Sequence, residues 1–74
     1  MDQRNLASLK MGEKGVVVGF TDELLSLKLL EMGVLPGSEV VISQIAPFGD
    51  PIAIKLSDYL LALRKDEAET VIVV

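Results

Sequence analysis

Asp66, Glu67 and Glu69 crowd three carboxylates into four positions, the densest grouping of reactive side chains in this 74-residue chain. Oxygen ligands of this kind suit a hard cation, but without further donors a solvated acidic face is the expectation. Asp50, between Gly49 and Pro51, has the chemistry of an acid or a ligand, yet an aspartate in such a setting usually bonds the backbone of its own turn. Ser8, Ser26, Ser38, Ser43 and Ser57 are candidate nucleophiles without an evident base, because the chain contains neither histidine nor cysteine, the commonest activated groups in catalysis. Gly12-Glu13-Lys14-Gly15 lacks both the longer spacing and the following helix of a phosphate-binding loop. The same absences remove disulfides, the usual zinc sites and two of the three common ligand types for iron(II). The chain is therefore expected to be no enzyme, with no catalytic, cofactor-binding or metal-ligating residues.

Binding chemistry is better represented. At about 100° per residue, a helix beginning near Asp22 places Leu25, Leu29 and Met32 in one row and Leu27, Leu30 and Val34 in another, on roughly opposite sides. Glu23 projects between the leucines of the second row and Glu31 sits at its edge, and carboxylates are hard to bury without a partner. The first row is thus expected to face the core. Leu27 and Leu30 beside Lys28 would make an apolar centre with a polar rim, as protein interfaces do. Phe48, at a loop tip between Pro47 and Gly49, is either an aromatic anchor for a partner or a lid folded over the barrel mouth. The expected partner-binding residues are Leu27, Lys28, Leu30, Glu31, Pro47 and Phe48.

These side chains need a small scaffold. Residues 16–20, β-branched and bounded by glycines, read as a strand. Thr21 or Asp22 can cap the helix that follows, and Gly33 suits the left-handed position that ends it, with Pro36 preventing its resumption. Residues 39–45 read as a strand with Val41, Ser43 and Ile45 on one face and Val40, Ile42 and Gln44 on the other. The loop 46–51, with two prolines and a glycine, reverses the chain. Ile52, Ile54 and Leu56 alternate with Ala53 and Lys55, residues 59–64 continue as a strand, residues 65–69 make a helical or tight turn, and residues 70–74 form a closing strand. Five short strands with one helix inserted after the first predict a mainly β fold, a small and strongly bent antiparallel barrel.

Composition narrows the function classes. The length fits one domain over residues 1–74, and half of the chain is hydrophobic, so packing or self-association must supply stability. The segment 1–10 is charged and lacks the apolar run of a secretory signal. No stretch approaches the roughly 20 apolar residues of a membrane span, so a cytoplasmic protein without direct membrane insertion is expected. A net charge of −4 and only three aromatic residues, Phe20, Phe48 and Tyr59, argue against nucleic acid as a partner. A proline-reading groove is disfavoured for the same lack of aromatics.

Residues 28–37, Lys-Leu-Leu-Glu-Met-Gly-Val-Leu-Pro-Gly, followed by Ala-Pro-Phe-Gly-Asp-Pro at 46–51, resemble the FeoA-type ferrous iron transport accessory proteins. The similarity continues through residues 61–68 and the final valine-rich strand. The resemblance implies an SH3-like barrel, no catalysis, and a cytoplasmic role beside FeoB, the GTP-binding membrane transporter of ferrous iron. It also brings one alternative, a detached SH3-like module of a DtxR-like metal-dependent regulator, and the leucine stripe itself offers another, a self-associating interaction domain in which the stripe pairs with its copy. Lys28 stands where many members carry arginine, so contacts needing a planar two-pronged donor are not expected.

Overall fold

Glycines and prolines stop the strands where the chain must turn, and a computed structural model shows what forms between them. It describes residues 3–74; Met1 and Asp2, which open the charged segment 1–10, lie outside the described residues. Strand β1 (Arg4–Asn5) and a 3-10 turn (Leu6–Ser8) precede β2 (Lys14–Phe20), helix α1 (Glu23–Glu31) and β3 (Glu39–Ile45). Then come β4 (Ile52–Leu56), β5 (Tyr59–Leu63), the short helix α2 (Lys65–Ala68) and β6 (Val71–Val73). The strands pair in the order β1-β6-β2-β3-β4-β5, every pair antiparallel.

The fold is mainly β, with six strands rather than five. The additional strand is β1, whose two residues carry no strand preference of their own. Arg4 and Asn5 are extended because they pair with Val73 and Ile72 of β6, so the helix follows the second strand and not the first. No helix among the described residues is long and apolar enough to cross a membrane.

Alternation builds the core from the sheet. In β4, Ile52, Ile54 and Leu56 are buried while Lys55 is exposed. Leu6, Val17, Leu29, Val40, Ile42, Leu63, Val71 and Val73 complete a continuous apolar interior. The regular pairing slips in two places, between Val17 and Gly19 of β2 and in β3. Val40 and Ile42 pair with Leu56 and Ile54, but the pairing slips between Ile42 and Gln44. One extra residue in a strand turns the following side chains over, so Gln44 is exposed and Ile45 half-buried, the reverse of the simple alternation.

Helix α1 is fixed at both ends by local chemistry. The Asp22 side chain accepts a hydrogen bond from the Leu25 backbone N–H at 2.9 Å, occupying one of the donors that a helix start leaves unpaired. Asp22→Ala is expected to lower stability by about 1 kcal/mol, read as a fall in melting temperature of roughly 4–8 °C for a domain of this size. At the other end Gly33 takes φ +100°, and the N–H groups of Gly33 and Val34 return to the carbonyls of Leu30 and Leu29, the paired bonds of a glycine-terminated helix. That reversal explains Val34. Helical periodicity places it with Leu27 and Leu30, but it lies beyond the last turn and is fully buried in the core beside Leu29.

Candidate docking surface

The row Leu25, Leu29 and Met32 is turned inward: Leu29 is fully buried, Met32 packs against the core, and Leu25 is half-buried. The outward side carries Leu24, Leu27 and Leu30, of which Leu24 is 81% and Leu27 61% exposed. Glu31 is exposed beside them. Such side chains in water forgo stabilisation of about 25 cal/mol per Å² of apolar surface, and three of them on one short helix form a contiguous patch rather than scattered exposure.

Phe48 is 97% exposed, so the lid arrangement is excluded in the isolated chain. The loop that holds it is tied at its base: the Ala46 N–H donates to the Pro51 carbonyl, and the Gly49 N–H donates to the Ala46 carbonyl at 2.7 Å. Gly49 at φ +84° closes a turn that a residue with Cβ would resist. Pro47 is exposed next to the ring. The aromatic side chain is thus presented on a closed turn instead of a free loop, which reduces the ordering entropy that binding must overcome.

Helix α1 and the Phe48 loop share no hydrogen bond or ion pair among the described residues, and α2 connects them. Lys28 Nζ lies 2.6 Å from a Glu67 carboxylate oxygen. On the other side the Lys65 backbone N–H donates to Asp50 Oδ1 at 3.1 Å. Helix and loop are therefore each one polar contact from the same four-residue element. Two sequence expectations change as a result. Asp50 does not bond its own turn; it reaches across to the start of α2, where exposed N–H groups favour a carboxylate. The acidic cluster is not uniformly solvated either, because Glu67 is 6% exposed.

Burial of Glu67 works because its charge is answered. One carboxylate oxygen takes Lys28, and the other accepts the Arg64 backbone N–H at 2.9 Å, half of a capping box around α2. The Lys28 hydrogen bond and then the Arg64 N–H hold the carboxyl below its ordinary pKa, against burial, which raises it. Glu13 is lowered similarly, first by Arg4 and then by the Lys10 backbone. Both carboxylates are thereby made weaker bases, the opposite of the tuning that proton abstraction near neutrality requires. No group of three or more potential ligands is placed to hold a metal ion among the described residues.

Tyr59 is a contributor that pattern reading passed over. Its hydroxyl donates to the Met32 carbonyl at 3.1 Å, bracing the C-terminal end of α1 against β5. The signal was Gly33: a Cβ there would strike the Tyr59 hydroxyl, so the glycine serves a close approach as well as a left-handed turn.

The FeoA domain profile matches residues 4–74. The chain belongs to the FeoA family. It is 31% identical over 64 residues to the Fe(2+) transport protein A/Fe(2+) transporter FeoB fusion protein of Porphyromonas gingivalis, a match covering 85% of this chain and 8% of that one. Its fold superimposes on the solution structure of a FeoA-like protein from Clostridium acetobutylicum with a TM-score of 0.93 at 36% identity, covering all of this chain and 87% of the other. The zinc-complexed FeoA of Stenotrophomonas maltophilia, described as a prokaryotic SH3-domain protein, gives a TM-score of 0.82 at 28% identity over 95% of this chain and 88% of that one. The bent sheet of this FeoA-family chain is accordingly an SH3-like fold.

Proposed function

We propose that this FeoA-family domain is a cytoplasmic, non-enzymatic accessory component of ferrous iron uptake that docks onto the cytoplasmic, GTP-binding part of a FeoB-type transporter. The Porphyromonas fusion carries this reading, because there a FeoA-like segment and the Fe(2+) transporter occupy one polypeptide. Tethering gives two modules an effective concentration that can reach the millimolar range, an arrangement of use when the modules must meet. The Stenotrophomonas relative, proposed as a ferrous iron transport activating factor, points to the same process.

Geometry supports a mode of contact. Leu27 and Leu30 supply the apolar centre, Phe48 the aromatic anchor, and Lys28, Glu31 and Pro47 the rim. The stems of Lys28 and Asp50 are held through α2, so the two halves of the surface would meet a partner in a fixed relation. Direct carriage of the metal is disfavoured by the ligand chemistry: imidazole and thiolate are missing from the chain, and Glu67 is engaged by Lys28.

Leu27→Ser combined with Phe48→Ala tests the surface. Both side chains are exposed, so the pair of changes should leave stability within about 0.5 kcal/mol per site. Loss of a buried aromatic anchor typically costs about 2 kcal/mol of binding, a weakening of roughly thirtyfold for the soluble FeoB region measured by calorimetry. Unchanged affinity with an intact fold would rule the surface out.

A further inference from the structure

One concavity of the molecule is formed without the Phe48 loop. A groove of about 590 Å³ is lined by Lys14, Leu35, Val41, Lys55, Ser57 and Tyr59 among others, a size within the range of ligand sites. Strand pairing explains its make-up. Lys14 is opposite Val41, and Val41 is opposite Lys55, so the three side chains form one row on the outer face of β2, β3 and β4. The two lysines lie one strand spacing to either side of the valine, so their backbones are roughly 9–10 Å apart. Neither lysine forms an ion pair with a described residue, whereas Arg4 and Lys28 do. Glu39 is the one carboxylate in the lining, which leaves the groove net positive on a chain of net charge −4.

We infer that this groove binds an extended acidic segment of another protein, with apolar side chains on Leu35 and Val41 and carboxylates on Lys14 and Lys55. Charge complementarity selects the occupant: against an otherwise acidic surface, two unanswered ammonium groups face one apolar floor. Carboxylates two residues apart in an extended peptide are separated by about 7 Å, a span that two flexible lysine stems can bracket. Because Lys14, Val41 and Lys55 share one face, the acidic and apolar residues of the segment must project from one face as well, at positions i, i+2 and i+4 of the extended chain. The groove is a poor match to a proline-rich peptide, since Tyr59 is the sole aromatic in the lining and such segments need an aromatic cradle. Nucleic acid fits less well, because Glu39 opposes a continuous phosphate backbone and the stacking residues are missing. The Tyr59 hydroxyl, bonded to the Met32 carbonyl, holds one wall in place without a ligand.

The test uses the full chain, isotopically labelled, and a blocked eight-residue peptide, Ser-Glu-Ser-Glu-Ser-Leu-Ser-Leu, which carries its acidic and apolar side chains on one face when extended. Amide shifts are expected to cluster at Lys14, Val41, Lys55 and Ser57, and affinity is expected to fall at least tenfold in Lys14→Glu/Lys55→Glu and to weaken with added salt. The milder Lys14→Gln/Lys55→Gln variant should weaken binding several-fold, and Leu27→Ser/Phe48→Ala should leave it unchanged, which separates this groove from the transporter-facing surface. Absent shifts in the groove, equal binding by a Lys-Leu peptide, equal binding by oligoglutamate, preferential binding of an eight-nucleotide oligothymidylate, or undiminished affinity in either lysine variant would each overturn the inference.

Discussion

Lys28→Met is expected to lower the stability of the domain by about 2–3 kcal/mol, because it leaves the buried Glu67 carboxylate without its counter-charge. For a 74-residue chain the whole stability is of the order of 4–11 kcal/mol, so this single change removes a large fraction and a urea titration would show it directly. Glu67→Ala should cost less, about 1–2 kcal/mol, since it deletes a capping acceptor but leaves behind a lysine side chain that is 55% exposed and that water solvates. The sequence separation of the pair, 39 residues, makes it a tie between α1 and α2 instead of a local cap. Loss of that tie should loosen the Phe48 loop as well, through Asp50 and Lys65.

Acid should reproduce part of the same effect. The carboxyl of Glu67 ionises more readily in the folded chain than its ordinary value of 4.5 allows, mainly through Lys28. A carboxylate whose folded-state pKa is depressed stabilises the fold fully above the unfolded-state value, and this contribution disappears as pH falls through the folded-state value. The urea midpoint is therefore expected to decline from about pH 5 downward in the native chain. In Glu67→Gln, which keeps the shape and removes the titration, that decline should be shallower. Equal slopes would mean that Glu67 is not answered by charge in the folded protein.

Gly33→Ala is the second large effect, about 2–3 kcal/mol. A side chain at φ +100° costs about 1–2 kcal/mol, and displacement of the Tyr59 hydroxyl from the Met32 carbonyl adds about 1 kcal/mol. Tyr59→Phe alone should cost about 0.5–1.5 kcal/mol by loss of that bond. In the Gly33→Ala background the tyrosine change should cost almost nothing, because the hydroxyl has already been pushed away. Additive costs would show that the glycine answers only to backbone conformation.

These residues also show which parts of the fold were legible in the sequence. β4 was legible because Ile52 to Leu56 alternates strictly and both faces keep their character. Helix α1 was legible from Asp22, the leucine rows and Gly33, all of which act within a few residues of one another. β1 was not, because Arg4 and Asn5 become a strand only through β6, almost 70 positions away. The bulge in β3 was hidden because one inserted residue leaves the composition of the strand unchanged while reversing Gln44 and Ile45. For the surface, apolar rows gave Leu27 and Leu30, and loop punctuation gave Phe48. The Glu67 tie and the Asp50 bond were hidden by distance, since a carboxylate in a run such as Asp66 to Glu69 looks solvated until its lysine is known.

On the proposed function, α1 and the Phe48 loop together form a docking surface for the transporter. Amide shift mapping of the labelled chain during titration with the soluble GTP-binding region of a FeoB-type transporter tests it most directly. Shifts are expected to concentrate at Leu27, Leu30 and Phe48, with Lys14 and Lys55 unaffected. An unchanged spectrum, or shifts confined to the lysine groove or to β1 and β6, would contradict it.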